Sequence, residues 1–304
     1  MDNSTASPLK RANPPKSNLE NFDFLQRAFS DARLKTYLDA IHDKKQTDEE
    51  RLKRAMRLYE INIIYCECLY SSLHTLEISL RNSIDKSLCN QYDNIWFISD
   101  TYLFKNSISK LEKKYNINIL MPCNKYSILL QYEEEKIIGS LEDVIKDYQQ
   151  KKPLQCSLKI QDIRDEIISN LTLGFWTTLL TQTKKQGSNY EHKIFVPCIK
   201  MIFPYAKNAE RHNKTIQPVL TEIKNLRNRV FHHEPVWFPN YIKSKYDNLH
   251  RVMQWIEPEL EIWLKRHSKI DRFMEVYESL STEVISLTQK KSQGNIKKFN
   301  YEEK

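Results

Sequence analysis

The stretch from Thr47 to Leu88, TDEERLKRAMRLYEINIIYCECLYSSLHTLEISLRNSIDKSL, decides the fold class. Thr47 followed three residues later by Glu50 is a capping-box pattern, in which each side chain accepts from the other residue's backbone N–H. Downstream, Leu52, Met56, Tyr59, Ile63, Leu69, Leu73, Leu76, Leu80, Ile84 and Leu88 recur at steps of three or four residues, apart from one six-residue step after Ile63. No proline or glycine interrupts them. The spacing predicts one long helix over about 48–90, with a kink allowed at the irregular step.

The same period recurs on either side. Phe24, Leu25, Phe29, Leu34, Leu38 and Ile41 predict a helix between Leu19 and Asp43. Further helices are expected at about 100–115, 125–150, 160–184, 190–202, 209–233, 240–266 and 270–288, with Pro122, Pro153, Gly187, Pro204 and Pro235 in the connections. No segment alternates strongly enough for a strand. The expectation is an all-α fold: one helical domain over 19–288 with an inserted middle section, a flexible tail over 1–18 and a charged tail over 289–304.

Composition narrows the function. The 304 residues are 40% hydrophobic and 28% charged, which is globular and long enough for a real core. The four glycines, Gly139, Gly174, Gly187 and Gly294, are too scattered for a phosphate-cradling loop, so no nucleotide cofactor is expected. A net charge of +8 favours a polyanionic partner, RNA or DNA. The six cysteines include no CxxC pair, which leaves a zinc site without support and suits a reducing compartment. The polar N-terminus lacks the apolar core of a signal peptide, and no apolar run is long enough to span a membrane. The expected location is the cytoplasm, with no cofactor and no metal.

The chemistry concentrates in VLTEIKNLRNRVFHHEP (219–235). Val219, Ile223, Leu226 and Val230 make one apolar helix face. At about 100° per residue, Arg227 lies to one side of that face, and Asn228 and His232 lie nearly opposite it. His233 rotates back toward it as a flanking or packing residue. Pro235 ends the helix near Glu234. Arginine, amide and histidine on one exposed wall suit RNA cleavage. The RNA supplies a 2′-hydroxyl nucleophile, a histidine moves the proton, an arginine fork holds the phosphate, and asparagine orients either group. The blander reading is that cations at the end of a helix complement its dipole.

LRNRVFHHEPVW (226–237) resembles the characteristic segment of the Abi-like family of bacterial phage-defence proteins, within the HEPN superfamily. LHTLEISLRNSIDKSL (73–88), followed by Trp96-Phe97, is similar to that family's early helix, and LTLGFWTTLL (171–180) to its central one. The resemblance covers roughly 55–265. It implies an all-helical HEPN-like bundle and a metal-independent endoribonuclease leaving 2′,3′-cyclic phosphate and 5′-hydroxyl ends. It also implies a homodimer in which two Arg/His motifs face each other, and toxicity to the host during infection. Some members are restrained by a partner, which can be a small RNA. The family's arginine falls on Arg227, its polar residue on Asn228 and its histidine on His232; a longer spacing would select His233.

Other residues carry weaker expectations. Glu77 and Arg81 are spaced for an intrahelical ion pair, or else Glu77, Arg81 and Asn82 line the same cleft as Arg227. Arg229 and Trp237 are candidate RNA contacts, although Trp237 and Phe238 can equally seal the helix end against the core. Gly174-Phe175-Trp176 reads as packing, with the glycine admitting a neighbouring helix. Lys151-Lys152, Lys184-Lys185 and Lys290-Lys291 are basic clusters that either track an RNA backbone or, each taken singly, belong to a solvated surface. Arg211-His212 stands where the motif helix opens. Glu133-Glu134-Glu135 reads as a solvated acidic face, and His74 as a structural histidine. A non-catalytic RNA-binding module, working with a small RNA, is the alternative to the nuclease; a protein-interaction role in defence is a third reading.

Overall fold

A computed structural model describes residues 28–41, 47–122, 127–151, 157–181, 189–237, 239–271 and 273. Both expected tails, nearly all of the 270–288 helix, Phe238 and the basic pairs at 184–185 and 290–291 lie outside these residues.

The fold is all-α. Ten α-helices run through the described residues: α1 (Asp31–Leu38), α2 (Asp48–Gln91), α3 (Tyr102–Tyr115), α4 (Gln131–Lys151), α5 (Arg164–Ser169), α6 (Leu173–Thr181), α7 (Val196–Ile202), α8 (Asn213–Phe231), α9 (Pro239–Ile256) and α10 (Pro258–His267). Two three-residue strands, β1 (Asn118–Leu120) and β2 (Ser157–Lys159), pair in parallel and are too short for alternation to reveal them. The chain forms two compact units, and the boundary falls inside α2 between Asn62 and Ile63.

The long helix begins as expected. Thr47 N–H donates to Glu50 Oε2 (3.0 Å) and Glu50 N–H to Thr47 Oγ1 (3.3 Å), which closes the capping box. The buried seam departs from the apolar count most clearly at Ile63, while Leu52 and Tyr59 are half-buried. Ile63 is 51% exposed; Asn62 is buried in its place, and Tyr65 and Cys68 fill the six-residue step. A buried asparagine is invisible to a count of apolar residues.

In the unit before Ile63, Tyr37 and Phe29 pack their rings against Tyr59, with centroids 5.1 and 4.8 Å away. In the other unit, α6 is the central helix. Leu173, Phe175, Trp176, Leu179 and Leu180 are all buried, so it is apolar all round, as a helix enclosed by others must be. Trp96, Phe175 and Trp176 form an aromatic cluster with centroids 5.1–6.5 Å apart. Beside it, Arg164 Nη2 grips both oxygens of Asp85 (2.6 and 2.8 Å), and Asp85 also accepts from Trp96 Nε1 (2.8 Å).

Three expected helices are subdivided. The 160–184 segment becomes a 3-10 turn (Ile160–Ile163), α5 and α6. The 190–202 segment opens as a π turn (Glu191–Phe195) ahead of α7. Pro197 has no N–H to offer the Lys193 carbonyl, and the Tyr92 hydroxyl donates to it instead. The 240–266 segment breaks at Glu257, whose carboxylate caps α10 with Pro258 at its first position.

The acidic face at 133–135 is also corrected. Glu133 and Glu134 are 1% and 3% exposed. The Tyr190 hydroxyl donates to Glu133 (2.8 Å) and the Thr101 hydroxyl to Glu134 (2.9 Å), so distant donors make the burial tolerable.

A buried pair between α9 and α10 gives the fold a pH dependence. His250 Nδ1 sits 3.0 Å from Glu261 Oε1, and Lys265 Nζ lies 2.6 Å from the same oxygen. Burial holds the His250 imidazole below its ordinary value, against the pull of Glu261. Burial tends to raise the Glu261 carboxyl, but Lys265 and His250 bring it below the usual range. Both groups therefore bind protons less readily folded than unfolded, so acid favours the unfolded chain. The His250 share is fully present above about pH 6.5 and is lost as pH falls through its folded value; the Glu261 share follows below about pH 4.5. Melting temperature is expected to fall between pH 7.5 and 5.5, and His250→Gln to flatten that decline. An equal slope in the variant would show that His250 does not carry the pH dependence.

Candidate functional site

The motif helix α8 buries Ile216, Val219, Leu220, Ile223, Leu226 and Val230 and leaves Asn228 exposed. Its last turn fixes the geometry of the histidines. His232 is the C-cap (φ −90°, ψ 9°), and His233 takes a left-handed conformation (φ 58°). His233 N–H donates to Val230 O (3.2 Å) and Glu234 N–H to Arg229 O (2.8 Å), the Schellman arrangement. Arg229 Nε lies 3.5 Å from Glu234 Oε2 and clasps the turn.

The expectation that His233 packs is therefore corrected. The left-handed residue turns the chain out of the helix, and both His232 and His233 are exposed. A glycine would adopt that conformation without strain. His233→Gly is expected to stabilise the fold by ~0.5–1 kcal/mol, the relief of left-handed strain less the added freedom of the unfolded chain. Chemical denaturation tests this, and a loss of stability would show that the His233 side chain holds the turn.

Arg227 is the best-supported side chain of the site. Its Nε lies 3.5 Å from Glu77 Oε2 on α2, and its guanidinium stacks 4.3 Å from the Phe231 ring centroid. The other Glu77 oxygen accepts the Leu173 N–H at the start of α6 (2.9 Å). One carboxylate thus ties α2, α6 and α8 together at the arginine. The terminal nitrogens of Arg227 make no hydrogen bond among the described residues, and they form the face of the fork suited to a phosphate.

Glu77 consequently does not form the intrahelical pair with Arg81. Arg81 Nη1 donates to the Ser169 carbonyl (3.3 Å) and its Nε lies 3.3 Å from Asn82 Oδ1, while the Asn82 side chain is exposed. Trp237 is 3% exposed, which overturns its reading as a stacking platform and leaves it sealing the helix end. Phe175 and Trp176 are core, as expected. Gly174 admits no helix: a Cβ there would meet only Thr172 Oγ1, at 3.5 Å. Arg211 is a structural tether, donating to the carbonyls of Phe203 (3.0 Å) and Pro204 (2.6 Å).

The structure adds two residues. Tyr70, 53% exposed, stacks on Phe231 (5.8 Å) and on His74 (6.0 Å), making an aromatic ladder His74–Tyr70–Phe231–Arg227. His74 is exposed and has no hydrogen bond among the described residues, which removes its structural reading. Phe231 follows Arg227 by four residues, a spacing that could have pointed to the stack. Tyr70 carries no comparable sequence signal. No three His, Cys, Asp or Glu side chains come together as a metal site among the described residues.

A family model described as Abi-like protein matches residues 25–238. The chain belongs to the Abi-like family. That match spans α1 through α8 and includes Glu77, Arg227, His232 and the rest of the cluster. Membership suggests a role in abortive infection, a defence against phage. No curated relative and no solved structure shows a significant match to this Abi-like chain. No described helix is long and apolar enough to cross a membrane.

Proposed function

We propose that the chain is a HEPN-type, metal-independent endoribonuclease that acts in the cytoplasm during abortive infection. The observation that carries this reading is Arg227. Its Nε is tethered by Glu77, its plane rests on Phe231, and its terminal nitrogens are left for a phosphate, five residues before the exposed His232.

In the reaction the 2′-oxygen of one ribose attacks the adjacent phosphorus. The bond to the 5′-oxygen breaks, leaving a 2′,3′-cyclic phosphate and a 5′-hydroxyl. One proton leaves the 2′-hydroxyl and one reaches the departing 5′-oxygen. His232 serves in this transfer, Arg227 stabilises the added charge on the phosphate, and Asn228 orients either group. Two copies facing each other would supply two histidines, one for each transfer, and the exposed Tyr70–Phe231 ladder beside Arg227 is a surface such a pair can use. Arg81, Asn82 and Arg229 lie outside the reacting group in this scheme. A small RNA can serve as a restraining partner on the same basic chain.

A labelled oligonucleotide with one 2′-deoxyribose at the cleaved position tests the chemistry. Cleavage is expected to stop at that linkage and continue at its neighbours. Cutting at the deoxyribose would rule out 2′-hydroxyl attack. The second reading, an RNA-binding module, is favoured by the charge of +8 together with the exposed ladder, and salt-sensitive binding without cleavage would select it.

A further inference from the structure

Between α4 and α6 lies a groove of about 630 Å³, within the range that holds a small ligand or one nucleotide. Gly139 and Gly174, two of the four glycines in the chain, line it. Packing accounts for neither. A Cβ at Gly139 would meet nothing within 4 Å, one at Gly174 would make ordinary contact with Thr172 Oγ1, and neither has a positive φ. Each glycine costs a helix roughly 1 kcal/mol relative to alanine. What both provide is open space in the same groove.

The groove adjoins the site already described. Leu173, which donates to Glu77, stands between the lining residues Thr172 and Gly174. Lys224 reaches the groove from α8, and it makes no ion pair or hydrogen bond among the described residues. Lys224, Asn228 and His232 follow one another at four-residue steps along α8, so the row climbs about 12 Å from the groove to the histidine. The Asn170 side chain at the rim is also without a hydrogen bond among the described residues. On the α4 side, Glu135 and Asp143 each engage a neighbour through one oxygen, Gln131 and Lys146 respectively. Their second oxygens remain as acceptors. The groove therefore has Lys224 on its α8 side, and Glu135 and Asp143 on its α4 side together with Lys136, whose ammonium lies over the Tyr132 ring (4.9 Å).

We propose that this groove holds an unpaired nucleotide of the substrate RNA, next to the linkage cut at Arg227 and His232. Its phosphate lies on Lys224 and its base enters the space above Gly139 and Gly174. The inference rests on the ribonuclease reading and deepens it: the substrate is single-stranded at this position. Carboxylates accept from the amino groups of adenine, cytosine and guanine, and uracil has none to offer. Amino-bearing bases are therefore preferred.

The test uses the full chain and labelled 2′-fluoro dodecamers of adenylate, cytidylate or uridylate, which lack the hydroxyl needed for cleavage. Anisotropy is read for wild type, Gly139→Leu and Lys224→Ala, together with melting temperatures and cleavage of the natural RNAs. Wild type is expected to bind the adenylate and cytidylate strands at least fivefold more tightly than uridylate. Gly139→Leu enters the groove from a Cβ that meets nothing within 4 Å and should melt no lower than wild type, yet lose at least tenfold in affinity and most of its base preference. Lys224→Ala should lose at least fivefold for every strand. If wild type cuts RNA while both variants bind and discriminate as wild type does, the groove assignment is overturned and the ribonuclease reading stands. If wild type neither binds nor cuts any strand, both fall together.

Discussion

Arg227→Ala is expected to lower the rate of RNA cleavage by roughly 10²–10³-fold, the usual cost of removing one donor aimed at charge that develops in the transition state. The loss should fall mainly on kcat, because the fork stabilises a phosphate carrying more charge in the transition state than in the substrate. Arg227→Lys should recover little: an ammonium cannot form the paired bonds of a planar fork or stack on Phe231 as the guanidinium does. Glu77→Gln separates positioning from chemistry. The amide oxygen can still accept from Leu173 N–H, so the anchor of α6 is kept while the charge facing Arg227 is removed. A roughly tenfold loss of kcat at an unchanged melting temperature is expected, about the size of one partly buried ion pair spent on orientation. Single-turnover kinetics on a defined oligonucleotide checks both. An Arg227→Ala enzyme within threefold of wild type would remove the arginine from the mechanism.

Trp176→Ala is expected to destabilise the fold by ~3–5 kcal/mol, the range for deleting a large, fully buried aromatic side chain. Trp176 is completely buried on the central helix, meets Trp96 and Phe175 ring to ring, and donates its Nε1 hydrogen to the Leu171 carbonyl (3.3 Å). The substitution leaves a cavity and an unpaired carbonyl in the same place. Because α6 also presents the Leu173 N–H to Glu77, loss of activity should track loss of fold. Urea denaturation gives the stability directly, and a change below 1 kcal/mol would mean that α6 is not the centre of the core.

Much of this was legible in the chain before any coordinates. The capping box at Thr47 and the apolar period after it fixed the start and length of α2, because both signals are local. Pro235 marked the end of α8 for the same reason. The conformation past that end was not legible: proline two residues downstream of His233 states that the helix stops, and the choice of a left-handed residue depends on how the following chain docks. Glu77 shows the same limit. Its nearest cation in sequence is Arg81, and its cation in space is Arg227 on another helix. Glu133 and Glu134 read as surface because their donors, Tyr190 and Thr101, lie far away in sequence. The break before α10 was available in principle, since Glu257-Pro258 carries a cap and an N1 proline.

The proposed activity is metal-independent RNA cleavage through His232. The most direct measurement incubates end-labelled total RNA and tRNA in EDTA with wild type, His232→Ala and His233→Ala, and then identifies the product ends. Wild type and His233→Ala are expected to cut, leaving 2′,3′-cyclic phosphate and 5′-hydroxyl ends, and His232→Ala is not. Cutting by His232→Ala at the wild-type rate, or wild type that binds RNA yet leaves it intact, would contradict that reading.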